Sequence, residues 1–342
     1  MVAPEQIAAD NAAMKPSILE IEDLVVEFHQ GNKVVRAANH VSLTIRQGET
    51  VGIVGESGSG KSVLCRSILR LLPSPPSFVK SGRITFAGRD LLSLPETEMQ
   101  EIRGADIAMV FQNPMNALNP VWPIGDQITE GERVHRGLGT RAARTRAVEL
   151  LKRVGIPSPE MRVDEYPHQW SGGMVQRAVI AMAIAGGPKL ILADEPTTAL
   201  DVTIQDQILA LLMDLQAATG TTLILVSHDM AVVAETCDRV AVMYAGRIME
   251  LAPTADVFAH PRHPYSLGLL RSIPRIDGKG QRLEPIPGQP PSLSELPAGC
   301  PFMPRCSFAS PACGTSDVPL REVAKGHFSA CIKAEEIAAV AL

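Results

Sequence analysis

The chain has 342 residues, 45% of them hydrophobic and 20% charged, with a formal net charge of −5. That length makes one large domain or two modest ones, and the apolar content excludes a disordered or low-complexity protein. The acidic balance and 4% aromatic content leave no basic field or stacking platform for nucleic acid, so no nucleic-acid partner is expected. No apolar run reaches the ~18 residues of a membrane span. The longest, Ala178–Ala185, has the length of a core helix. Residues 1–16 lack the basic start and apolar centre of a secretory signal, so they read as a flexible N-terminus on a soluble, cytoplasmic chain.

In chain order, Ile18–Phe28 alternates apolar and polar residues like a strand, and Val41–Ile45 and Arg83–Phe86 continue short β-runs. Val51–Val54, Ile107–Phe111, Leu190–Ala193 and Leu223–Val226 are unbroken apolar strands, as expected of strands buried on both faces. Helical patterns lie between them. Thr203–Ala217 carries Ile204, Ile208, Leu211 and Leu215 at helical spacing, with Gly220 just beyond. Apolar strands alternating with helices predict an α/β fold with a mostly parallel core sheet. From about residue 260 the character changes. Pro285–Pro304 holds seven prolines in twenty residues, which predicts an irregular extension over 261–342 after a compact domain over 17–260.

Gly55-Glu56-Ser57-Gly58-Ser59-Gly60-Lys61-Ser62 fits G-x-x-x-x-G-K-[ST], with strand Val51–Val54 before it and a predicted helix, Val63–Leu72, after it. Glycines let the backbone curl so that successive N–H groups face phosphate oxygens, and the helix start adds a favourable dipole. Lys61 supplies a charge to the β- and γ-phosphates, and the Ser62 hydroxyl can ligate Mg²⁺. A nucleoside triphosphate is therefore the expected ligand. The second half of such a metal site is an acid at the tip of an apolar strand. Asp194 stands there to hold Mg²⁺ through water, and Glu195 follows as general base for an attacking water.

Ser171-Gly172-Gly173-Met174, then Gln176-Arg177, lies about 20 residues before Asp194-Glu195 and resembles the signature loop of ABC-transporter ATPases. Met174 stands where that family commonly has Gln. The resemblance places Gln112 as the glutamine that senses Mg²⁺ and neighbours the membrane partner. It places Thr198-Ala199-Leu200-Asp201 as the D-loop, with Asp201 its acid. It also makes His228 the switch residue that contacts the γ-phosphate and Phe28 the aromatic that stacks on adenine. It implies a P-loop ABC ATPase domain, with an antiparallel β subdomain and an inserted helical subdomain at about 114–182. The match narrows further. Phe111–Pro120 (FQNPMNALNP), Tyr166–Gln169, Glu195–Thr203 and His260–Tyr265 (HPRHPY) resemble the dipeptide/oligopeptide and nickel importer ATPases. The likeness covers roughly 17–335 and is strongest to the D-type subunits of dipeptide permeases. Trp170 stands where Leu or Phe is usual.

Cys300-x5-Cys306-x6-Cys313-x17-Cys331 offers four thiols in the proline-rich segment, whereas Cys65 and Cys237 read as core. Four cysteines suit a [4Fe–4S] cluster or structural zinc, or they stay unligated or form disulfides. Zinc sites favour tight C-x2–4-C pairs, so the loose spacing leans towards iron–sulfur, which the family resemblance also implies.

One copy of each motif implies a sandwich dimer, in which ATP bound to one protomer meets the Ser-Gly-Gly of the other. The resemblance makes the second ATPase a different chain. It adds two transmembrane permeases and an external peptide-binding protein, and puts this chain on the cytoplasmic face of the inner membrane. The solute is a dipeptide or oligopeptide by that likeness, with nickel or opines as alternatives; a soluble ABC ATPase of DNA repair or translation is a distant third reading.

Overall fold

The computed structural model describes residues 15–198, 200–273, 285–315 and 318–339. Most of the predicted flexible N-terminus therefore lies outside the described residues.

Two sheets organise the chain. β1 (Ser17–Gln30) turns through Gly31 into β2 (Lys33–Arg46), and both pair antiparallel in a sheet ordered β2-β1-β4-β5, with β4 at Ser77–Phe86 and β5 at Arg89–Asp90. The second sheet is ordered β11-β12-β10-β9-β3-β8-β7-β6, with β10 at Arg247–Pro253, β11 at Arg321–Ala324 and β12 at His327–Ser329. Its centre is parallel: β3 (Thr50–Val54) lies between β8 (Thr222–Ser227) and β9 (Arg239–Tyr244), and β7 (Leu190–Asp194) pairs with β8 and with β6 (Ile107–Val110). All four unbroken apolar runs are thus parallel strands of this sheet, three inside it and β6 at its edge, buried throughout or nearly so.

Their side chains alternate between two cores with a period of two. Val51, Ile53, Leu190, Leu192, Ile224 and Val226 face the antiparallel sheet. Val54, Ile191, Ala193, Leu223 and Leu225 face the opposite layer, built on helices at Ile124–Ile128, Thr140–Arg153 and Gly172–Ala185. The run Ala178–Ala185 lies in the last of these, with all but Met182 buried. Each apolar strand is sealed on both faces, so its C-terminal tip is where polar side chains can emerge.

The extension is more regular than its prolines predict. Helix α1 (Lys61–Ile68) follows the phosphate-type loop, α2 (Val202–Thr219) follows β7, and α3 (Pro264–Arg271) opens the extension. Beyond it, β11 (Arg321–Ala324) and β12 (His327–Ser329) form a hairpin that joins the core sheet through β10 (Arg247–Pro253), with Leu251 opposite Phe328. Prolines exclude regular structure over 285–304, but the chain on either side is free of that restriction. A buried pair, His327 Nε2 to Glu250 Oε1 at 2.6 Å, locks the hairpin to β10. The extension therefore contributes to the core sheet rather than forming a tail behind it.

Candidate nucleotide site

The loop 55–62 leaves the tip of β3 and curls into α1. Two of its glycines are sterically required. A Cβ on Gly55 would lie 2.0 Å from the Met243 carbonyl oxygen, and one on Gly60 would lie 2.2 Å from that of Ala37, at φ +104°. Gly60 is the left-handed residue from which α1 starts, so the free N–H groups of that helix face the inside of the loop. Ser57 and Gly58 are exposed, and a Cβ on Gly58 would meet nothing within 4 Å, so this side is open to a ligand. Ser59 is buried and its hydroxyl has no hydrogen-bond partner.

Lys61 crosses back under the loop. Its ammonium donates to the carbonyls of Gly55 (2.8 Å) and Glu56 (3.1 Å) and lies 3.9 Å from Glu195. Ser62 donates its hydroxyl to Asp194 Oδ1 at 2.8 Å. Asp194 is fully buried and its other oxygen, Oδ2, has no partner among the described residues. Burial pushes the Asp194 carboxyl above the usual range, against the Ser62 hydrogen bond, and pulls the Lys61 ammonium below its own, against Glu195, Asp194 and Glu56. Both groups are short of opposite charge. An unsatisfied carboxylate oxygen beside a serine hydroxyl fits Mg²⁺, which takes hard oxygen ligands, and a desolvated ammonium under an open loop fits a phosphate. The donor set thus suits both members of a magnesium–nucleotide pair.

Glu195 sits one residue past the tip of β7 with φ +47°, a left-handed conformation unusual for a non-glycine residue. That bend turns its carboxylate back across the site. Oε2 accepts from Gln112 Nε2 (2.9 Å) and from the Thr198 hydroxyl (2.9 Å), and lies 3.6 Å from Nδ1 of the largely exposed His228. Gln112 follows β6 and His228 follows β8, so neighbouring strand tips deliver all these groups. In the sequence Thr198 stands out only as part of a loop motif. Its role follows from the turn after Glu195, where Thr198 N–H donates to the Glu195 carbonyl.

The other residues singled out lie elsewhere. Ser171 caps the helix 172–185, its hydroxyl accepting from Met174 N–H at 3.4 Å. Beside that loop, Cβ atoms on Gly172 and Gly173 would meet Leu200 and Ile204. Asp201 is the exposed residue before α2, and Ala199 lies outside the described residues. Phe28 is half-buried against the core under the antiparallel sheet. Trp170 is buried and donates its indole N–H to Glu165 at 2.7 Å, which accommodates the departure from Leu or Phe. Glu56 is turned from the loop interior: its backbone N–H donates to the Tyr265 hydroxyl at 2.9 Å.

The iron–sulfur expectation for Cys300, Cys306, Cys313 and Cys331 is corrected, and the zinc alternative with it. The four thiols line one cavity, but its volume is about 20 Å³, room for one water and not for a four-iron cube. Among the described residues no group of three or more His, Cys, Asp or Glu is placed to hold a metal ion. Burial also pushes the thiols of Cys300, Cys306 and Cys331 above their ordinary range. Loose spacing in the sequence carries no information about cavity size or local charge. Among the described residues the four cysteines form no disulfide, and they line that cavity with Phe302 and Met303.

The site and sheet together are those of a P-loop ATPase, and comparison with known proteins places the chain within that class. The ABC transporter family matches residues 38–198, and the oligopeptide/dipeptide transporter C-terminal region matches 249–313. The oligopeptide transport ATP-binding protein OppD of Bacillus subtilis is 50% identical over 91% of this chain and 87% of its own length. OppD of Salmonella typhimurium is 46% identical over 93% and 94%. Among solved structures, the ATP-binding cassette MJ0796, a dimer bound to ADP and Pi, is similar at TM-score 0.63 and 29% identity, over 69% of this chain and 99% of that one. The chain belongs to the ABC transporter ATPases, in the group that carries the oligopeptide/dipeptide transporter C-terminal region.

Proposed function

We propose that this chain is the ATP-hydrolysing subunit that energises import of oligopeptides or dipeptides by an inner-membrane ABC transporter. The observation that carries the ATPase reading is the carboxylate of Glu195, held by Gln112 and Thr198 beside Lys61 and the Ser62–Asp194 pair. Peptide as the solute rests on the matched C-terminal region and on the OppD relatives. The chain works as a peripheral subunit: among the described residues no helix is long and apolar enough to cross a membrane. Permease subunits and an external binding protein complete such an importer.

ATP binds with its β- and γ-phosphates in the loop 55–62, against the N–H groups that open α1 and the ammonium of Lys61. Mg²⁺, when bound, draws charge from those phosphates. Ser62 and Asp194 would hold it, with Gln112 close by. Glu195 takes the proton of the attacking water through its carboxylate, and His228 positions that water and the γ-phosphate. Phe28 supplies the aromatic surface for the adenine. Within Ser171–Met174, Gly172 and Gly173 lie against Leu200 and Ile204. That placement supports a sandwich in which this segment faces the ATP of a second protomer, with Asp201 at the same interface. The second protomer is a different ATPase chain, so the working unit is a heterodimer. We assign the ATPase domain to 17–260, with its helical subdomain at about 114–182, and the extension to 261–342.

The test is Glu195→Gln in the assembled transporter. ATP binding persists while hydrolysis falls at least a hundredfold, the scale of a lost general base. Undiminished hydrolysis would remove Glu195 from the role.

A further inference from the structure

The extension holds Glu56 of the nucleotide loop twice. Arg305 meets its carboxylate as a two-pronged fork, Nη1 to Oε2 at 2.6 Å and Nη2 to Oε1 at 3.0 Å. Tyr265, on α3, accepts the Glu56 backbone N–H. Nothing in the phosphate-loop pattern calls for an acid at this position, and 249 residues separate the two charges.

The guanidinium is itself fixed. Arg305 is 7% exposed, its Nε donates to the Pro287 carbonyl at 2.9 Å, and Nη1 also reaches the Tyr244 hydroxyl at 3.3 Å. Its charge lies 5.8 Å and 5.9 Å from the ring centres of Tyr244 and Phe302, which pack edge-on to each other. Such a rigid, desolvated arginine transmits position, because neither the fork nor its aromatic seat can rotate. Glu56 passes that position on: its carbonyl accepts both the Lys61 ammonium and Ser59 N–H. The contacts run without a gap from the extension to the lysine beneath the phosphate loop.

We propose that Arg305 is a positioning residue for ATP, through which the C-terminal extension sets the geometry of the nucleotide loop by way of Glu56 and Lys61. The inference rests on the reading of residues 55–62 as the nucleotide loop. It makes the extension a determinant of ATP affinity, so a partner that displaced the segment around 300–306 would weaken nucleotide binding without touching it.

The experiment measures the KM for ATP and kcat of the assembled transporter, with a fluorescent ATP analogue titrated into the purified full chain. Arg305→Ala raises KM and the analogue Kd about tenfold, the scale of one charge-assisted two-pronged contact, and lowers kcat less than twofold. Arg305→Lys, keeping the charge without the fork, falls between. Adding Glu56→Ala to Arg305→Ala costs nothing more, since both remove one link. A purely structural arginine would lower the folded fraction, and so kcat, at unchanged KM. If Arg305→Ala does not fold, the near-isosteric Glu56→Gln makes the same comparison, with a rise of several-fold expected. Wild-type KM in Glu56→Gln and Arg305→Lys, while Lys61→Ala loses binding, overturns the inference. Retained binding in Lys61→Ala overturns the nucleotide-loop reading, and the inference falls with it.

Discussion

Acid should loosen the anchor of the extension through one histidine. His263 is the N-cap of α3: its Nδ1 accepts the Tyr265 N–H at 3.0 Å, and its Nε2 is buried without a partner. It faces the ring of Phe302 and lines the cysteine cavity together with Lys333. Among the described residues no carboxylate lines that cavity, and protonation would destroy the capping acceptor. Burial accordingly pulls its pKa down to about 3. The unfolded chain has an ordinary histidine, at about 6.5, so below that pH it binds more protons than the folded one and stability falls as pH falls. The loss runs at about 1.4 kcal/mol per unit between about pH 6.5 and 3, and reaches about 2 kcal/mol at pH 5. The assay is urea denaturation at pH 7 and pH 5 for wild type and His263→Asn. Asparagine keeps a capping acceptor and does not titrate, so the variant should lose about 2 kcal/mol less than wild type on acidification. Equal losses in the two proteins would refute the argument.

Two further predictions bear on the catalytic groups. Thr198→Val removes one of two hydrogen bonds fixing Glu195 and should cut kcat about tenfold at unchanged ATP affinity; a changed KM at normal kcat would contradict it. Asp194→Asn should abolish Mg²⁺-dependent hydrolysis while ATP still binds without the metal. In the wild type, Mg²⁺ affinity should fall as pH drops through the raised Asp194 pKa, because the protonated carboxyl gives up its ligand oxygen; a pH-independent Mg²⁺ affinity would argue against that assignment.

Much of this organisation is legible in the sequence wherever a local pattern carries the physics. An unbroken apolar run such as Leu190–Ala193 can only be a strand sealed on both faces, and an acid pair at its end must emerge at the sheet edge. The loop 55–62 is readable because phosphate chemistry dictates glycines and a lysine at set spacing. What is not legible depends on distant pairing. Nothing near Glu56 announces Arg305, and the hydroxyl of Thr198 gains its role only from the backbone reversal at Glu195. The hairpin 321–329 is too short to show a period, and its place in the core sheet is set by Glu250, 77 residues before His327. The cysteine spacing misled because ligation depends on how the thiols are placed in space and on cavity volume, which spacing does not encode.

The most direct test of the central claim is uptake of a labelled dipeptide or oligopeptide by cells with no other peptide permease, supplied with this transporter carrying wild-type chain or Glu195→Gln. ATP-driven peptide import predicts uptake with wild type and none with Glu195→Gln, at equal amounts of both proteins in the membrane. Equal uptake with the two chains would contradict the account.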